Sequence, residues 1–136
     1  MTNLLSPELY FATLSALFTS VLWAPHIVMR IIEMGPHDAF RDPKHDKATQ
    51  TAWAQRAIRA HTNAVENLPV FVTLAIVVHI MGIGDQLTAQ ACLIYVVARA
   101  VHYGVYMLGV AWVRTPAFLV GFGCQLFLGL RIFNMV

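Results

Sequence analysis

Arg56, Arg59, Asn63 and Glu66 recur at helical spacing. At about 100° per residue they share about 80° of arc, one polar face of a helix. Further along, Tyr95, Arg99, His102 and Tyr106 share about 60° on a segment that is otherwise apolar, with Tyr103 beside them. With Arg30 and Arg114, the set holds five arginines against the single acid Glu66. Guanidinium groups recognise carboxylates and phosphates through paired N–H donors. Asn63 and Glu66 supply acceptors for an ammonium or amide. The pattern points to a small zwitterionic ligand whose charge is mostly negative. The plainer reading is that Arg59 and Glu66 pair on adjacent turns or across a subunit interface, while Arg56 and Arg114 sit at the water interface.

Other chemistries find little support. No Ser-His-Asp arrangement, nucleophile elbow or glycine-rich phosphate loop is present. His61 falls away from the face of Glu66, so no metal motif is supported. His37 and His45 read as loop residues, His79 as a hydrogen-bonded residue near a helix end, and His26 as a residue without a chemical role. Cys92 and Cys124 lie in apolar stretches without C-x-x-C spacing and read as small core residues. The net charge is only +2, and no basic run interleaves with aromatics, which excludes nucleic acid as the main ligand.

The elements that must position these residues are set by composition. The chain has 136 residues, 58% hydrophobic and 12% charged, with mean hydropathy +0.63. Soluble domains carry about 25% charged residues. A chain of this size cannot hide so much apolar surface within itself, so a lipid bilayer is its solvent. The expectation is an all-α integral membrane four-helix bundle, a single domain over 1–136. Its spans are placed at about 9–32, 49–83, 87–113 and 116–133. Pro25 should kink or shorten the first span. The stretch from Glu33 to Lys47 reads as a loop, and Asp46 or Thr49 as the cap of the next helix. That second helix is long, polar in its first half and apolar in its second, with Pro69 inside it. Arg114-Thr115-Pro116 reads as a break before the last span. The N-terminus lacks a basic region ahead of its first apolar run, so no signal peptide is expected.

Loops 1–2 and 3–4 carry Arg30, Arg41, Lys44, Lys47, Arg56 and Arg114, against Arg131 alone on the other side. The positive-inside rule puts both loops in the cytoplasm and both termini opposite. The two polar stripes share a membrane depth at the cytoplasmic side.

The run Arg59-Ala60-His61-Thr62-Asn63-Ala64-Val65-Glu66-Asn67-Leu68-Pro69 resembles the R-A-x-x-N-x-x-E-x-x-P signature of the MAPEG family, the membrane-associated proteins in eicosanoid and glutathione metabolism. The resemblance extends over nearly the whole chain. It implies a homotrimer with glutathione bound between neighbouring subunits. Carried over by motif, Arg30, Arg59, Asn63 and Glu66 resemble glutathione contacts. Arg99, His102 and Tyr106 resemble the R-x-x-H-x-x-x-Y pattern of the prostaglandin E synthase branch. Arg114-Thr115 resembles the Arg-Ser pair that activates the glutathione thiol, with Thr115 keeping the hydroxyl. Thr62 stands where the prostaglandin synthase branch has Arg, and Asn67 where the leukotriene synthase branch has Tyr. The implied activity is a glutathione-dependent transferase or peroxidase acting on a lipophilic small-molecule substrate. The alternatives are a non-enzymatic lipid-binding or scaffold protein of the same fold and, third, a small-anion transporter.

Overall fold

A computed structural model of the protein describes residues 5–41 and 49–136. The helices are α1 (Pro7–Val21), α2 (Ala24–Met34), α3 (Pro36–Arg41), α4 (Ala52–Ile80), α5 (Gln86–Leu108) and α6 (Ala111–Ile132). Four stretches are long and apolar enough to cross a membrane: Pro7–Met34, Ala52–Ile80, Gln86–Leu108 and Ala111–Ile132. Leu17, Ile80, Val97, Val101, Leu119 and Leu126 are exposed on them. Water would not tolerate so wide an apolar surface, whereas acyl chains cover it without penalty. The protein is an integral membrane four-helix bundle that crosses the bilayer several times.

The first span is broken. Pro25 has no N–H for the carbonyl of Val21, and the helix is interrupted at Leu22–Trp23. The Tyr103 hydroxyl donates to the carbonyl of Leu22 at 3.0 Å, satisfying backbone at the break from α5.

The loop expected from Glu33 onward is partly helical. Gly35 ends α2 at φ +80°, and Pro36 begins α3 at the first helical position, where a missing N–H costs nothing. Asp46 lies outside the described residues. Thr49 does not cap α4, which starts at Ala52. Instead the Glu33 carboxylate gathers the approach to it. It accepts from the Thr49 hydroxyl at 2.8 Å, from the backbone N–H groups of Gln50 and Thr51, and from the Thr51 hydroxyl. Two uncapped N–H groups thereby reach an anion from another helix.

The break expected at Arg114-Thr115-Pro116 lies earlier, at Gly109–Val110. Gly109 takes the left-handed conformation at φ +82° and stops α5, so Arg114 and Thr115 fall in the opening turns of α6. Pro116 sits inside α6, where it removes one bond close to the helix start. Arg56 packs beneath this turn: its Nε donates to the Met107 carbonyl at 2.9 Å, and a Cβ on Gly109 would meet its guanidinium at 3.2 Å. Gly109→Ala combines that crowding with a strained φ. We expect a loss of about 1–2 kcal/mol in unfolding experiments.

Two apolar clusters fill the bundle. In one, Phe71 stacks on Tyr95 with centroids 3.7 Å apart, beside Val78, Cys92 and Leu128. In the other, Ala57, Ala60 and Ala64 recur on one face of α4 and let Leu22 and Tyr103 pack close.

At the end holding the start of α1 and the α4–α5 turn, Asp85 and Thr88 form a capping box at the start of α5. Arg131 pairs with Asp85 across the bundle end. The Thr88 N–H, and then the Arg131 charge, hold the Asp85 carboxyl below its ordinary range. A depressed folded pKa means that the stabilisation is present above the unfolded value of about 3.9 and is lost as pH falls through the lower folded value. Between about pH 5 and pH 3, the melting temperature of the parent should therefore fall more steeply than that of Asp85→Asn. Parallel slopes would remove Asp85 from the acid response.

Candidate functional site

The α5–α6 turn and the start of α4 share one end of the bundle, as the Arg56–Met107 bond shows. On α5, Arg99 and His102 are 6% and 3% exposed, and Tyr106 is half-buried one turn on. Their spacing of three and four residues places them along one helix face, as the sequence indicates. Arg99 Nη2 donates to Asn63 Oδ1 at 2.7 Å, joining the α5 stripe to α4. A Cβ on Gly121 would lie 3.4 Å from Arg99 Cδ, so the α6 backbone passes beside the arginine stem.

The stripe continues toward α6. The His102 ring lies edge-on to Tyr106, with centroids 5.6 Å apart, and near Phe118 at 6.1 Å. The Arg114 guanidinium sits 4.7 Å above the Tyr106 ring, a cation–π contact. Arg99, His102, Tyr106 and Arg114 thus form one continuous row from the bundle interior to the α5–α6 end. His102 Nδ1 is buried with no hydrogen-bond partner among the described residues. A buried polar atom left without a bond is costly.

The other candidates are placed differently. Arg30 is buried on α2, which packs against α4. Thr115 is exposed beside Arg114. Arg59 and Glu66 are exposed on the outer face of α4, while Asn63 between them is half-buried. One copy of the chain therefore brings together Asn63, Arg99, His102, Tyr106 and Arg114, and leaves Arg59 and Glu66 facing away. Glu66 lies fourteen residues before Ile80, about 21 Å along the helix and within a bilayer core of about 30 Å.

Several supporting residues escape sequence reading. Gln125, buried on α6, donates to the Asn67 carbonyl at 3.1 Å, and the Asn67 side chain donates to the Asn63 carbonyl at 2.8 Å. A lone Gln in an apolar helix was the available signal. Tyr95, a member of the stripe by spacing, and Tyr103 beside it serve packing and the helix break instead. His26 and His61 face each other with centroids 5.6 Å apart. Among the described residues no group of three or more His, Cys, Asp or Glu could hold a metal ion.

A comparison with curated proteins returned no match. The family model described as "MAPEG family" matches residues 9–134, nearly the entire chain. Together with the four apolar helices and the α4–α5 stripe, this match establishes that the chain belongs to the MAPEG family.

Proposed function

We propose that the protein is a glutathione-dependent membrane enzyme that transfers the thiol to lipophilic electrophiles, or reduces lipophilic peroxides with it. The observation that carries this reading is the row Arg99–His102–Tyr106–Arg114 with the orphaned His102 Nδ1. The row offers the Arg99 guanidinium to a ligand carboxylate, an imidazole nitrogen to a neighbouring polar group and the Arg114 guanidinium to a thiolate at its end. Glutathione carries two carboxylates, an ammonium and amides, which fit this donor set and the acceptors of Asn63 and Glu66.

In this reading, Arg114 and Thr115 do the chemistry. A free thiol with a pKa of about 8.5 is mostly protonated at neutral pH, and only its thiolate attacks well. Arg114 stabilises the thiolate by charge and Thr115 by a hydroxyl hydrogen bond. Sulfur then bonds to the electrophilic carbon, and the leaving group departs with the bonding pair. The bilayer delivers the apolar substrate laterally.

The exposure of Arg59 and Glu66 supports a site completed by a second copy of the chain. Charged groups on a membrane-facing surface are expensive and need polar partners. A homotrimer with glutathione between neighbouring subunits would supply them. Its site end lies in the cytoplasm and its termini opposite, by the excess of Lys and Arg at that end.

Two measurements on the purified protein test the reading. Glutathione should raise the melting temperature, as binding to the folded state alone requires. Conjugation of a generic aryl halide should proceed above the uncatalysed rate. Stabilisation without turnover would support the non-enzymatic alternative, and neither effect would reject the site.

A further inference from the structure

At the opposite end of the bundle from Arg114, Glu8 stands out. It lies in the first turn of α1, yet is only 2% exposed. Its Oε1 accepts from the Thr88 hydroxyl at 2.6 Å. The α4–α5 turn backs onto it so closely that a Cβ on Gly84 would lie 2.9 Å from the same oxygen. Among the described residues no cation pairs with it: Arg131, the arginine at this end, is engaged by Asp85 and by the carbonyl of Val136. A buried carboxylate without a countercharge is costly.

Glu8 also borders a cavity of about 470 Å³, shared with Ser6, His79, Asp85, Gln86 and Ala89. The cavity lies where α1 and α5 begin, at the level at which a bilayer presents its head groups. Its polar lining holds the Glu8 and Asp85 carboxylates, the Ser6 hydroxyl, the His79 ring and the Gln86 amide. No group of three or more His, Cys, Asp or Glu that could hold a metal ion occurs among the described residues. With Asp85 engaged by Arg131, the Glu8 carboxylate is the charge left to be met, and the hydroxyl and amide oxygens beside it suit a group with one positive charge and several N–H donors.

We infer that the Glu8 cavity binds a primary ammonium group, carried by an aminolipid head group or by a free amine. Glu8 supplies the countercharge, and Ser6 and Gln86 accept the remaining N–H donors. A quaternary ammonium has the charge without the donors and binds more weakly. The inference uses none of the residues assigned to glutathione, so its failure would leave that reading untouched.

The test is thermal unfolding of the full-length protein in an amine-free buffer. Saturating ethanolamine should raise the melting temperature by about 4 °C, and choline at the same ionic strength by much less. In nanodiscs, phosphatidylethanolamine should stabilise the protein relative to phosphatidylcholine if the source is a lipid. A response to free ethanolamine alone would assign a soluble amine. Glu8→Gln keeps the Thr88 hydrogen bond but not the charge, and should abolish both responses. Should that variant fail to fold, Gln86→Lys decides: it keeps Glu8 and places a tethered ammonium at the rim of the cavity, so added ethanolamine should no longer act. The inference is overturned if neither amine source stabilises the parent protein, or if Glu8→Gln or Gln86→Lys responds as the parent does.

Discussion

Arg114→Ala is expected to lower glutathione conjugation to an aryl halide about a hundredfold while changing glutathione binding little. The size follows from what one preorganised donor at a developing or exposed negative charge contributes to such reactions. Arg114 sits at the end of the polar row, above the Tyr106 ring and half-buried. Its charge there is partly shielded from water, so its effect on a nearby thiolate exceeds that of a fully solvated cation. Arg99 and His102, the groups proposed to hold the ligand deeper in the row, remain in place in the variant. Ground-state binding should thus persist, and the loss should fall on kcat rather than on KM. Losing the cation–π contact should cost about 0.5–1 kcal/mol of stability, too little to unfold the protein. Arg114→Lys keeps the charge without the planar fork and should recover part of the rate. Undiminished turnover in Arg114→Ala would move the thiol-activating role elsewhere. A matching loss of glutathione-dependent thermal stabilisation would make Arg114 a binding group.

The sequence and the structure agree where the helical period governs. Arg99, His102 and Tyr106 are legible because side chains three and four residues apart must share a face whatever else the helix packs against. The four spans are legible for a similar reason: composition alone demands a lipid solvent. What escaped depends on pairings distant along the chain. Arg56 belongs to the α4 stripe by spacing, yet its guanidinium is used to clamp the α5–α6 turn at Met107, fifty-one residues away. Glu33, a single acid at the end of an apolar run, turns out to organise the entry to α4. Glu8 stands just ahead of the first apolar run, and only the packing of α5 against α1 shows that it is buried against Thr88. The misplaced break after α5 has a local cause. Pro116 is a strong punctuator in sequence, but Gly109 controls the turn because only the backbone shows where a left-handed residue is needed. The division of one α4 face between the interior, at Asn63, and the outer surface, at Arg59 and Glu66, is likewise invisible to angular arithmetic. An arc of about 80° is wide enough to straddle the boundary of a packed helix.

That boundary makes Asn63 the residue whose loss should cost the fold most. Its Oδ1 accepts from Arg99 Nη2, and Arg99 is buried with its stem against Gly121. Asn63→Ala removes the acceptor but not the charge. The guanidinium stays in the bundle interior, where Arg99 is only 6% exposed. A buried charged donor without its partner costs more than the hydrogen bond itself contributed, and about 2–3 kcal/mol of stability should be lost. Asn63→Asp provides the control. It restores an acceptor at the same position and adds a negative charge facing the arginine, so most of the stability should return. It should also weaken glutathione binding, because Arg99 would then be neutralised within the protein instead of being available to a ligand carboxylate. Stability and ligand response therefore separate in this pair: Asn63→Ala melts early, whereas Asn63→Asp melts near the parent temperature but gains little from added glutathione. If Asn63→Ala melts with the parent, Arg99 has another acceptor and the bond to α4 does not fix it. If Asn63→Asp keeps the full glutathione response, Arg99 serves the bundle alone, and the anion contact passes to Arg114 and to the arginines of a neighbouring copy.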